Sequence, residues 1–185
     1  RYKDGIDLIE HRQHNPKLIL WLGSSIGNYS KEGAVDFILH LCDRLPTWDR
    51  ILLGIDLIKN TDTLEKAYND SSGVTARFNL NLLSRINREM GADFRHSGFS
   101  HKAIFNREKG CIEIFLESNR AQTVHIAALD LEIDFKKGER IHTEDSHKYS
   151  LNDIKNLAEK AGMNVAGQWF DRKKWFSLNL LVPKG

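Results

Sequence analysis

Four groups of residues have the types and spacing for polar chemistry. Asn28 closes the segment Gly23-Ser-Ser-Ile-Gly-Asn28, which follows directly on the apolar run 18–22. Tyr68 lies in Lys66-Ala-Tyr-Asn-Asp70, just ahead of Ser-Ser-Gly-Val-Thr. Asn79 and Asn81 flank Leu80, and Thr143-Glu-Asp-Ser-His-Lys-Tyr149 gathers polar side chains after Gly138-Glu-Arg. Glycines, hydroxyls and an amide at the carboxyl end of a strand suit close backbone approach and hydrogen bonding to a small polar ligand. Each group also has an ordinary structural explanation. Asn28 can cap a helix, Tyr68 can be a core residue with a satisfied hydroxyl, and Glu144-Asp145-Ser146 can complement the N-terminus of a following helix.

Other chemistries are poorly served. The eight histidines form no HxxxH or HxH pair; His142 and His147 flank the acidic segment, but a metal site there would need ligands from elsewhere, so none is expected. There is no Gly-x-Ser-x-Gly elbow and no Ser-His-Asp order for nucleophilic hydrolysis. Cys42 and Cys111 stand far apart without CxxC spacing, which argues against a disulfide framework and suits a reducing cytosol. With 27 basic against 25 acidic residues the net charge is only +2, so nucleic acid is not the expected partner; the densest basic run, Asp171-Arg-Lys-Lys-Trp175, reads as an exposed hairpin. No apolar run approaches the ~18 residues of a membrane span, and the first 17 residues lack the apolar core of a signal peptide. A cytoplasmic protein with no membrane partner is the expectation.

The elements that must position these residues follow from periodicity. A short helix is expected over 6–13, ahead of Asn15-Pro16. The unbroken apolar run 18–22 reads as a strand buried on both faces. Residues 31–45 carry Ala34, Phe37, Ile38, Leu41, Cys42 and Leu45 at helical spacing, with Ser30 as N-cap and Pro46 as terminator. A second buried strand over 50–58 completes a βαβ unit. Helices follow over 61–69 and 74–90, the second with Phe78, Leu82, Leu83 and Ile86 inward and Gly91 as its stop. Strands are expected over 99–106, 110–118 and 122–126, then a turn around Gly138. A helix from 150 or 151 to 160 and strands over 165–171 and 175–182 close the chain as an antiparallel pair.

The order of LGSSIGN, LLGIDLIKNTDTLEKAYND, GVTARFNLNLLSRINREMGADF and GERIHTEDSHKY resembles the histidine-specific methyltransferase family of ergothioneine biosynthesis, over about residues 17–182. The resemblance implies an α/β fold: the second half of a Rossmann-like class I methyltransferase sheet with an inserted α+β substrate-binding subdomain. It places the core in 1–60 and 149–185 and the insert in 61–148. The implied activity is N-methylation of the α-amine of L-histidine to hercynine, with S-adenosyl-L-methionine as cofactor. By motif, Asn28 and Tyr68 hold the α-amino-acid end of the substrate, while Glu144 and Ser146 grip the imidazole. Ile114 is a position whose size can tune the choice of amino acid. Gly23 and Ser24 are the residues that can touch the cofactor, since the usual strand-Gly-x-Gly segment and its acidic ribose ligand are not in this sequence. That absence leads us to expect a fragment of a longer enzyme, inactive alone and prone to self-association through uncovered strand edges. A non-catalytic amino-acid-binding or assembly module of the same fold is the competing reading. An indole amino acid as acceptor is opposed by Glu144 and Ser146. One departure stands out: the family's Ala-Tyr-Asp-Asp reads Ala-Tyr-Asn-Asp here, with Asn69 third.

Overall fold

A computed structural model describes residues 16–43 and 49–184. Its strands are β1 (Leu18–Trp21), β2 (Arg50–Asp56), β3 (Phe99–Asn106), β4 (Cys111–Ser118), β5 (Gln122–Ile126), β6 (Leu131–Phe135), β7 (Arg140–His147), β8 (Met163–Phe170) and β9 (Phe176–Pro183). The helices are α1 (Lys31–Cys42), α2 (Thr61–Tyr68), α3 (Val74–Met90) and α4 (Leu151–Lys160). The helix expected over 6–13 and the Pro46 stop lie outside the described residues. The chain divides into two compact units, one built from the described residues up to Lys59 together with His147–Gly185, the other from Asn60–Ser146.

The first unit is a four-stranded sheet in the order β1-β2-β9-β8. β1 and β2 run parallel, from Leu18 opposite Arg50 to Trp21 opposite Leu53. β9 runs antiparallel to both β2 and β8, so the expected terminal antiparallel pair is present. Ser30 caps α1 by accepting the Gly33 N–H at 3.0 Å. α4 opens with a capping box in which the Ser150 and Asp153 side chains each accept the other's backbone N–H. Ile38 and Leu41 of α1, Ile51, Leu53 and Ile55 of β2, and Ile154 and Leu157 of α4 form the core.

Burial on both faces is only partial for β2, where Ile51, Leu53 and Ile55 are buried and Leu52, facing the other way, is half-buried, and it fails for β1. Leu18 and Leu20 are 54% and 57% exposed, and only Ile19 and Trp21 pack against the core. β1 ends the sheet, and among the described residues no element covers its second face, so the apolar run there is one-sided.

Beyond β2 the chain is held by a charge cluster. The Asp56 carboxylate pairs with Lys59 through one oxygen and with Lys148, 3.0 Å away, through the other. Lys148 is 1% exposed, so its ammonium is out of water and that carboxylate is one of its partners. Main-chain bonds run alongside: Tyr149 N–H to the Asp56 carbonyl and Ile58 N–H to the Tyr149 carbonyl. The segments on which the chain leaves this unit at Lys59 and re-enters it at His147 are therefore paired with each other.

The second unit carries the sheet β3-β4-β7 and the hairpin β5-β6. β3 and β4 pair over their full length, from Phe99 opposite Ser118 to Asn106 opposite Cys111. Leu83, Phe94, Phe99, Leu116, Val124, Ile126 and Phe135 form one core; Leu64, Ala103, Ile112 and Ile114 form another, with Tyr68 against it. Gly91 ends α3 at φ +62°, a left-handed conformation that glycine adopts without strain. The buried stripe of α3 differs from the expected one. Phe78 is 74% exposed and Leu82 is exposed, while Asn79 and Leu83 are buried. The helix turns an amide inward because that amide finds two partners there.

Replacing Asp56 by Asn should lower stability by about 1–3 kcal/mol, the range for weakening hydrogen bonds to charged groups. Chemical denaturation measures it, and Lys148→Met in the same background should recover part of the loss. An unchanged midpoint for Asp56→Asn would show that Lys148 does not depend on this carboxylate.

Candidate functional site

In the first unit, Gly23 and Ser24 make the turn out of β1 at φ +73° and +58°. A Cβ built on Gly23 meets nothing within 4 Å, so its backbone is open to a ligand. The Ser24 hydroxyl accepts the Asp56 N–H at 2.9 Å and keeps its own proton to donate. Gly27 is required for a different reason than ligand approach: a Cβ there would lie 2.7 Å from the His147 carbonyl oxygen, so the loop packs on the chain itself. Asn28 ends a short 3-10 turn (Ser25–Asn28) and is exposed. Ser30 performs the capping of α1, which removes the capping explanation for Asn28.

In the second unit, three consecutive residues do three jobs. The Tyr68 hydroxyl lies 2.8 Å from the Ser146 hydroxyl, so these two expected site residues, 78 positions apart in sequence, are brought together. Asn69 pairs with the backbone of β3 in both directions. Its Oδ1 accepts the Ala103 N–H at 3.0 Å, and its Nδ2 donates to the Ala103 carbonyl at 2.9 Å and to the Glu65 carbonyl at 3.0 Å. Asp70 then accepts from the Val74 and Thr75 N–H groups at 2.8 Å and from the Ser72 hydroxyl at 2.6 Å. The Ser72 hydroxyl first, and the helix N–H groups after it, hold the Asp70 carboxyl well below the usual carboxylate range. Asp70 is the N-terminal anchor of α3 and has no proton to give at neutral pH.

Glu144 and Ser146 were expected in a polar loop, or as a cap on the following helix. They sit instead on β7, while Ser150 and Asp153 do the capping. Spacing of two on a strand directs both toward one face. β7 is fixed to β4 by side chains: Thr143 donates to the Ile114 carbonyl at 3.0 Å, and Arg140 donates to Glu117 at 2.7 Å. Ser146 is buried and Glu144 half-buried. Among the described residues no hydrogen bond or ion pair engages the Glu144 carboxylate, whereas neighbouring Asp145 bonds His142 at 2.8 Å. Ile114 is buried in the small core that Tyr68 packs against.

Thiolate chemistry is excluded at Cys111. Burial first, and then the Asp145 and Glu113 carboxylates, push its thiol up to about 11, so it stays protonated at neutral pH. Two cavities of about 690 and 330 Å3 belong to the first unit, lined by α4 with β8 and by α1 with α4; neither contains an expected site residue. Sequence reasoning missed His101 and Asp56. His101 was one of eight scattered histidines, and its significance comes from contacts with Asn79 and Tyr68 that no spacing reveals. Asp56 had one signal, an acidic residue at the end of a buried strand.

A family model described as histidine-specific methyltransferase, SAM-dependent, matches residues 1–183. The chain is 42% identical to a histidine N-alpha-methyltransferase of Mycolicibacterium smegmatis, over 90% of this chain and 52% of that protein. It is 31% identical to ergothioneine biosynthesis protein 1 of Neurospora crassa, over 91% of this chain and 19% of that protein. It is 29% identical to an L-tryptophan methyltransferase of Psilocybe serbica, over 96% of this chain and 51% of that protein. The chain spans about half the length of the first two curated relatives it matches.

Asn69 makes a sharp test of the local architecture, because an Asp in its place would set a carboxylate oxygen against the Ala103 carbonyl. Asn69→Asp should cost about 1–3 kcal/mol, the penalty for unmade hydrogen bonds, read as a lowered unfolding midpoint. Equal stability of the two proteins would mean that the reciprocal pairing contributes nothing.

Proposed function

We infer that this chain, which belongs to the histidine-specific, S-adenosylmethionine-dependent methyltransferase family, holds the amino-acid pocket of an L-histidine α-N-methyltransferase. The observation that carries the reading is the meeting of Tyr68 and Ser146 at 2.8 Å, with the unengaged Glu144 carboxylate two residues away on the same strand. An imidazole has one N–H to give and one nitrogen lone pair to receive. A carboxylate takes the first, and a hydroxyl can serve the second.

The remaining roles follow from residue chemistry. The Asn28 amide and the Tyr68 hydroxyl are neutral groups that orient the α-amino-acid end without adding charge, which leaves the amine free to lose its proton before it reacts. Positioning of that nitrogen is where most of the acceleration arises. When bound, S-adenosylmethionine supplies the electrophilic methyl group. Gly23 and Ser24 fit one edge of such a cofactor, offering an open backbone and a hydroxyl donor. Side chains without a ring N–H leave the Glu144 carboxylate with nothing to accept, and a site built on that hydrogen bond rejects them for that reason. An indole, with a single N–H and no lone-pair nitrogen for the hydroxyl, stands behind an imidazole.

Calorimetric titration of the protein with L-histidine and L-tryptophan tests the reading. Histidine should bind more tightly, and Glu144→Ala should weaken it by about 1–3 kcal/mol. Undiminished affinity in Glu144→Ala would remove that residue from the imidazole site, and preference for tryptophan would refute histidine as substrate. Histidine binding without methyl transfer on adding S-adenosylmethionine would mean that these residues hold the amino-acid pocket and do not by themselves complete the cofactor site.

A further inference from the structure

Tyr68 is the last residue of α2, where carbonyl groups have no partner within the helix. His101 on β3 supplies one: its Nε2 lies 2.8 Å from the Tyr68 carbonyl oxygen. A carbonyl only accepts, so Nε2 carries the hydrogen. On the other side of the ring, the amide nitrogen of Asn79 lies 3.1 Å from His101 Nδ1 and 3.1 Å from the Phe115 carbonyl oxygen. The Phe115 carbonyl fixes which way the Asn79 amide points, because the flipped amide would set oxygen against oxygen. Its second N–H therefore faces Nδ1, which must present a lone pair. Two independent contacts select the same neutral tautomer, Nε2–H. Asn79 is 7% exposed, so the helix buries an amide on its inner face for this contact and the Phe115 bond.

We propose that His101, set in this tautomer by Asn79, is a positioning residue for substrate recognition: it holds the Tyr68 main chain so that the Tyr68 hydroxyl meets Ser146. The proposal rests on the reading of Tyr68 and Ser146 as substrate contacts, and it adds two residues to that site. Tyr68 is reached through its backbone by His101 and through its hydroxyl by Ser146, while Asn69 fastens the next residue to Ala103. Release of the carbonyl removes one of the ties between the end of α2 and β3, so the hydroxyl is placed less tightly.

Nitrogen-detected NMR of the imidazoles, with His101 assigned by substitution, reads the tautomer in the unaltered protein. Nε2–H is expected, and an Nδ1–H ring overturns the proposal. His101→Leu should bind histidine about tenfold more weakly, the loss of one well-made hydrogen bond. His101→Gln, which returns an N–H at the reach of Nε2, should recover most of that loss. A Gln variant as weak as the Leu variant speaks against positioning. In a Tyr68→Phe background His101→Leu should cost little more, since both act on the same hydroxyl; a full tenfold penalty there means that His101 acts elsewhere and overturns the proposal. Should His101→Leu fail to fold, the wild-type tautomer and the Gln variant decide. Should the unaltered protein bind no histidine, the functional reading fails and the Tyr68 ring resonances take over as the readout. Displacement of those resonances on disrupting His101 sustains the positioning role, and unmoved resonances refute it.

Discussion

The Asp56 carboxylate is the contact on which the arrangement of this chain depends. It sits at the end of β2, on the segment where the polypeptide leaves the four-stranded sheet, and it binds Lys148 on the segment where the polypeptide returns. Lys148 is 1% exposed, so this ion pair is made out of contact with water. Asp56 also engages Lys59 at the exit itself, and its backbone takes part in the bonds with Ser24 and Tyr149. Through its backbone and its side chain together, Asp56 thus ties the turn after β1, the end of β2 and the returning segment.

Around Tyr68 the logic is different, since neutral contacts dominate. Three neighbouring residues are committed in turn to a hydroxyl, a strand backbone and a helix N-terminus. His101 joins them through the Tyr68 carbonyl and the Asn79 amide. Such a surround imposes geometry. Among the described residues, the Glu144 carboxylate is left without a hydrogen bond or ion pair.

The sequence made most of the elements legible because their signals are local. Alternation in Cys-Ile-Glu-Ile-Phe-Leu-Glu-Ser located β4, and Gly91 marked the stop of α3. Errors arose where a partner at long range decides. Leu18 and Leu20 have the composition of a buried strand but belong to a sheet edge, and composition does not report the covering layer. Phe78 was placed inward on hydrophobicity, yet Asn79 took the buried position because His101 and Phe115 were waiting for its amide. Residues 143–147 looked like a loop since they are almost all polar; their strand character comes from pairing with β4, and their polarity from the ligand they are read to face. The candidate site was readable only as motifs in order. That Tyr68 and Ser146 touch is a fact of the fold.

The paired exit and return segments have an evolutionary corollary. An insertion whose two ends emerge side by side from hydrogen-bonded chain leaves the host sheet's register untouched, and the closure entropy rises only slowly as the inserted stretch lengthens. The 87-residue stretch Asn60–Ser146 is in this respect an exchangeable cassette. Selection can remodel what it recognises, or enlarge it, while the parallel pair and the terminal hairpin stay as they are.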